Sequence, residues 1–238
     1  MAGGILPPRR EVRVDASDSH FSLQLPLSRP SAQGVAIVSV RQLTIPREAK
    51  EALDAATNAW QKQDWKKVRE QATRALALHP NYGAALSVLG FLDLQDGHLD
   101  LACTNLKRAI EDDPNSALAY VALGSAYNSM KQYDAALQTL SVLPSVSADN
   151  WQIHYELARS YVGLRNYESG LREINRSQQL SQHDPAVLHL AKAHVLLALH
   201  RNSEAATELE TILRTQPNGP FASQAQSLLA TLRAQKQR

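Results

Sequence analysis

Eight histidines, one cysteine and a run of three acids are the residues of this chain whose types could support chemistry. Two histidines can hold one zinc from a single helix face only when they lie about three or four residues apart. His189, His194 and His200 are separated by 5 and 6, so they read as groove or surface histidines, and no metal site is expected. Glu111-Asp112-Asp113 offers carboxylates for acid–base work or a divalent cation, yet no histidine or nucleophile stands in a recognisable relation to it. The run precedes Pro114 and reads as a solvated helix-to-helix turn. Cys103 has no second cysteine for a disulfide or a zinc knuckle and reads as an inert, buried or half-buried thiol. The patterns G-x-x-x-x-G-K, G-x-G-x-x-G and G-x-S-x-G are missing. No catalytic residue and no cofactor is assigned, and the chain is expected not to be an enzyme.

Charge points the same way. A formal net charge of +2, from 25 basic and 23 acidic side chains, draws neither nucleic acid nor an anionic membrane surface. The densest basic cluster, Lys66-Lys67 with Arg69, shares a helix with apolar Trp65, Val68 and Ala72 and reads as a solvated face. No stretch reaches the roughly 18 apolar residues of a membrane span, and the start lacks the basic and apolar regions of a signal peptide. The chain as written is expected to be cytoplasmic, or periplasmic or secreted if further residues precede Met1.

The elements that must position any binding residues are helices. Hydrophobic residues make up 44% of the chain and aromatics only 5%, and alanine and leucine dominate from about residue 47, which favours helices packed closely through small side chains. Small residues recur at Ala56, Gly90, Gly124 and Ala158, each 34 after the last, with Ala193 following after 35. Trp65, Leu99, Tyr133 and Tyr167 keep the same step, as do Val68, Ala102, Ala136 and Gly170, with Ala205 one residue late. Such a period marks a row of helix-turn-helix units that bury their apolar faces only against one another.

In detail the residues resemble the tetratricopeptide repeat family, whose pattern is W-x2-L-G-x2-Y, then A-x3-F, then P. Tyr120-x2-Leu123-Gly124-x2-Tyr127 is followed by Ala136-x3-Leu140, and Leu86-x2-Leu89-Gly90 by Ala102-x3-Leu106 and Pro114. His154-x2-Leu157-Ala158-x2-Tyr161 leads to Gly170-x3-Ile174. Repeat one carries Ala52, Ala55, Ala56 and Ala59 before Val68, Ala72, Ala75 and Pro80; repeat five has Lys192 where leucine is expected, then Ala205-x3-Leu209 and Pro217. The resemblance covers residues 49–219 and implies an all-α, right-handed α-solenoid superhelix of five repeats, at about 49–82, 83–116, 117–150, 151–185 and 186–219. A capping helix over 220–236 closes it, with Phe221, Ala225, Leu228, Leu229 and Leu232 on one apolar stripe.

Residues 1–45 differ in kind and form a separate β-rich segment, set apart from the repeat domain at 46–238. Phe21, Leu23, Leu25 and Leu27 alternate, Gly34-Val-Ala-Ile-Val-Ser-Val is β-rich, and Pro46 sits where it can begin the first helix. The segment resembles the final strands of a carboxypeptidase-regulatory-like β-sandwich, the alternative being a short hairpin folded on repeat one. Unpaired strand edges there would allow a homodimer.

The family resemblance further implies that the first helix of each repeat lines a concave groove for a protein or peptide partner. In repeat one the positions are Lys50, Leu53, Thr57 and Gln61, and in repeat two Ser87, Phe91, Leu94 and Gln95. Val121, Ser125, Asn128 and Ser129 follow, then Gln152, Tyr155, Arg159 and Val162, and last Leu190, His194 and Leu197. This mixture suits an extended or helical segment with apolar anchors. Leu53 and Thr57 occupy two places of the set with which some family members clamp a C-terminal carboxylate, so a receptor of that kind is disfavoured. Phe91, Tyr155, Leu190 and Leu197 could instead be covered by packing. The function expected is a non-catalytic interaction scaffold; the alternative is a structural or oligomerising spacer in a larger bacterial envelope-associated polypeptide.

Overall fold

The computed structural model describes residues 44–142, 150–183 and 185–236. The strands expected before residue 44, and the dimer contact through them, lie outside the described residues. Thr44 and Ile45 form a turn and bend that lead into the first helix. Every regular element among the described residues is helical: α1 (Arg47–Gln61), α2 (Trp65–Leu78), α3 (Gly83–Gln95), α4 (Leu99–Asp112), α5 (Ala117–Ser129), α6 (Tyr133–Ser141), α7 (Trp151–Gly163), α8 (Tyr167–Leu180), α9 (Ala186–Ala198), α10 (Asn202–Thr215) and α11 (Ala222–Lys236). They pair as α1/α2, α3/α4, α5/α6, α7/α8 and α9/α10, with α11 last. The chain divides into two compact units within α5, between Ala122 and Leu123.

Each pair turns back through the same device. Gln63, Gly97, Lys131, Arg165 and His200 adopt left-handed conformations with φ of 60, 78, 59, 59 and 58°. The N–H of the next residue reaches a carbonyl five positions back: Asp64 to Ala59, His98 to Asp93, Gln132 to Tyr127, Asn166 to Tyr161 and Arg201 to Leu196, at 2.8–3.0 Å. This six-residue closure satisfies carbonyls that the end of a helix leaves without partners. Side-chain caps then start α2, α7 and α8, where Asp64, Asn150 and Asn166 accept from Lys67, Gln152 and Ser169 N–H groups. Nothing lies within 4 Å of a Cβ added at Gly97, so Gly97→Ala tests conformation alone. It is expected to cost about 1 kcal/mol in a urea titration; an unchanged midpoint would mean that this turn relaxes out of the left-handed region.

The one-residue slip in the period also has a place. The connection between pairs is four residues long after α2 (79–82) and after α4 (113–116), but five after α8 (181–185). The helices keep their lengths, and the loop absorbs the extra residue.

In the first unit, close helix approach comes from small residues. A Cβ on Gly90 would stand 2.6 Å from Leu106 Cγ, while Ala72, Ala75, Ala85 and Ala102 are fully buried. The α1/α2 pair has mostly alanine to bury, so its large apolar contribution is Trp60. In the second unit, a Cβ on Gly124 would meet Leu140 Cγ at 2.8 Å. Its far end is closed by α11, where Ala225 and Leu229 join Ala186, Leu190, Ala193, Leu209 and Ile212 in one cluster, flanked by Phe221, Leu228 and Leu232. Those are the stripe positions anticipated for a capping helix. Leu229→Ala is expected to cost about 2 kcal/mol, the low end for buried leucine because a chain end can settle into the space; a melt identical to the parent would argue that α11 does not dock.

Candidate functional site

The first helices were expected to carry the binding residues, and packing divides them into inner and outer sets. In the first unit, α1 leaves Lys50 and Gln61 exposed, while Leu53 and Thr57 are half-buried. Leu53 packs beside Ala52, Ala75 and Ala85, and the Thr57 hydroxyl donates to the Leu53 carbonyl at 3.0 Å. On α3, Leu94 and Gln95 are half-buried, whereas Ser87 is buried and spends its hydroxyl on the Gly83 carbonyl. Phe91 is only 1% exposed. Its ring lies 4.9 Å from Trp60, which meets Trp65 edge-on at 5.4 Å. Val121, on α5, is fully buried as well. Phe91 and Ser87 thus belong to the interior of this unit, because α3 is apolar around nearly its whole circumference and is buried throughout residues 85–93.

The second unit repeats the division with polar residues inside. Ser125, Asn128, Gln152 and Leu190 are buried, Tyr155, Val162 and Leu197 are half-buried, and Ser129 and His194 are exposed. Leu190 belongs to the cluster under α11. Glu156, which the sequence did not single out, is a carboxylate with no exposure at all. Asn128 Nδ2 donates to its Oε2 at 2.9 Å and to its main-chain carbonyl at 2.9 Å, and Asn128 Oδ1 accepts from the Ser160 hydroxyl at 2.8 Å. Arg159 Nη1 reaches both Glu156 oxygens at 3.0 and 2.9 Å and the Ser125 hydroxyl at 3.2 Å. Burial alone would lower the pKa of this guanidinium, but the Glu156 charge and hydrogen bond hold it above its ordinary value. With a side chain 29% exposed, Arg159 is anchored inside and reaches the surface. Burial also pushes the Tyr155 phenol up.

A second buried acid, Asp93 in the first unit, pairs with Arg69 at 2.7 Å and accepts from Asn105 at 2.9 Å. Arg69 therefore serves an ion pair and not an open basic patch. His154 pairs with Glu173, and 35 residues later His189 pairs with Glu208, which also binds Lys192 at 2.8 Å. Lys192, the odd residue at a leucine position, is thereby explained. His200 is exposed in its left-handed turn. Among the described residues no group of three or more His, Cys, Asp or Glu is placed to hold a metal ion. Cys103 is buried, and burial pushes its thiol up. Asp112, from the acidic run, accepts the Gly83 N–H at 2.9 Å, and Asp113 accepts that of Asn115 at 3.0 Å. No helix among the described residues is long and apolar enough to cross a membrane.

Burial would raise the Glu208 carboxyl, but hydrogen bonds from His189 and Lys192 and the Lys192 charge bring it below its ordinary value. A carboxyl held lower in the folded than in the unfolded chain adds stability above the unfolded pKa of about 4.3. That contribution disappears as pH falls through the folded value. Glu208→Gln should therefore cost stability at neutral pH and flatten the acid limb below about pH 4.3; parallel stability curves for parent and variant would contradict the pairing.

With this geometry in view, comparison with known proteins decides the family. Tetratricopeptide repeat models match residues 93–150 and residues 190–238. The chain is built of tetratricopeptide repeats. No curated protein matches it. Among solved structures, a thermophilic TPR protein of Thermus thermophilus is 19% identical, over 76% of this chain and 99% of that one, with a TM-score of 0.66. MamA of Desulfovibrio magneticus RS-1, from residue 41 onward, is 17% identical over 72% and 98%, with a TM-score of 0.59. PilF of Pseudomonas aeruginosa is 14% identical over 79% and 90%, with a TM-score of 0.61. At such identities the likeness is one of fold. The TPR pattern accounts for the helix pairs and their small-residue contacts.

Proposed function

We propose that this TPR chain is a non-catalytic interaction scaffold that takes a peptide segment of a protein partner against the first helices of its repeats. Arg159 is the observation that supports this most: three acceptors hold one nitrogen of its guanidinium while the side chain keeps partial exposure beside half-buried Tyr155 and Val162. A fixed donor between apolar shoulders suits a segment that brings an apolar anchor and a hydrogen-bond acceptor together. In the first unit, Leu53, Thr57, Leu94 and Gln95 offer a comparable mixture without a charge.

A photo-crosslinking amino acid at Val162, Leu197 or Gln95, presented to a peptide library, tests the reading. Capture at these positions, and not at exposed second-helix positions Arg172 and Thr207, supports it. Equal capture at all five would refute it.

A further inference from the structure

The connection between α10 and α11 holds the chain's single Asn-Gly peptide, Asn218–Gly219; every other asparagine precedes a residue with a side chain. Asn218 is exposed and lies in a turn. The Gly219 N–H donates to the Gln216 carbonyl at 3.0 Å, and the Gly219 carbonyl accepts from Ala222 N–H, at the start of α11, at 3.1 Å. A Cβ at Gly219 would stand 2.9 Å from Gln216 Cβ and 3.0 Å from its Oε1. The turn therefore demands glycine after this asparagine, and glycine is the residue that least obstructs attack by its own amide nitrogen on the preceding side chain.

We infer that Asn218 is a site of spontaneous modification, converting to isoaspartate and thereby loosening the capping helix α11. The Gly219 nitrogen gives up its proton to water or hydroxide and attacks Cγ of Asn218. The new C–N bond closes a five-membered succinimide, and the side-chain nitrogen leaves as ammonia. Water then opens the ring at one of its two carbonyls, giving aspartate or isoaspartate; nothing is oxidised or reduced. The hydrogen bond to Gln216 must break before the nitrogen can attack, so conversion proceeds during local openings of this connection.

The two products act in opposite senses. Aspartate adds a negative charge just before the positive N-terminus of α11, which favours the helix. Isoaspartate routes the main chain through the side-chain carbon, adds a methylene ahead of Gly219, and draws its carbonyl away from Ala222. Docking of Ala225 and Leu229 onto Leu209 and Ile212 then weakens.

The test is to age the full chain at mildly alkaline pH and map its peptides, using a protein isoaspartate methyltransferase as the probe. Expected are progressive labelling led by Asn218 and outpacing any at the Asp96-Gly97 peptide, a falling thermal midpoint, and several-fold faster conversion at Asn218 in Leu229→Ala. Asn218→Gln should age without change, and Asn218→Asp should melt no lower than the parent, which separates the added charge from the added methylene. An unlabelled Asn218 in both parent and Leu229→Ala, or a midpoint that falls equally in Asn218→Gln, would overturn the inference.

Discussion

Replacing Phe91 with alanine is expected to lower the stability of the chain by about 3–5 kcal/mol. The ring is 1% exposed and fills the space beside Trp60. Its surroundings cannot close the gap: the α1/α2 pair buries Ala49, Ala52, Ala56, Ala59, Ala72 and Ala75, which have no length with which to reach in. The indole N–H of Trp60 is already buried with no acceptor among the described residues, so a void there leaves an unsatisfied donor lining an apolar hole. Urea unfolding followed by tryptophan emission reads both consequences, the midpoint and the changed environment of Trp60. If Phe91→Ala instead melts like the parent and only loses partner capture, Phe91 belongs to the binding face after all.

The second large effect lies in the polar core of the other unit. Arg159→Ala leaves the fully buried Glu156 carboxylate with Asn128 as its one remaining side-chain donor among the described residues. Removing one partner of a buried ion pair costs about 3–5 kcal/mol, whereas replacing both by apolar groups of similar size is often close to neutral. Glu156→Leu with Arg159→Met should therefore be more stable than Arg159→Ala alone, although it changes more atoms. A double variant that loses at least as much as the single one would show that the network contributes net stability and not mainly the specificity of how α5 meets α7.

How far these residues could be read in advance follows from what each depends on. The column Ala56, Gly90, Gly124, Ala158 and Ala193 was legible because its cause is steric and local to one helix pair: all five are buried, and a Cβ at Gly90 or Gly124 would collide with Leu106 or Leu140. The stripe of α11 was legible for the same reason. The buried acids were not, because a carboxylate is tolerated inside only when a partner from another helix meets it, and Arg69 stands 24 residues before Asp93, Asn128 28 before Glu156. A signal did exist: Asp93 falls in the column of Tyr127 and Tyr161, and Glu156 in that of Val88 and Ala122. Charge in an apolar column marks a pair to be found. Ser87, Phe91, Val121, Ser125, Asn128, Gln152 and Leu190, assigned to the groove from their position in the repeat, are buried, which position in the repeat alone does not reveal. From Ala85 to Leu92, α3 is apolar but for Ser87 and has no solvent side.

Main-chain atoms of its own six residues close each of the five reversals, so no hairpin borrows its fold-back from a neighbour. Adding or removing one whole hairpin would leave every other reversal chemically as it was. Chain length in such a protein can thus drift by complete periods while a one- or two-residue insertion has only the connecting loops, as at 181–185, in which to be absorbed.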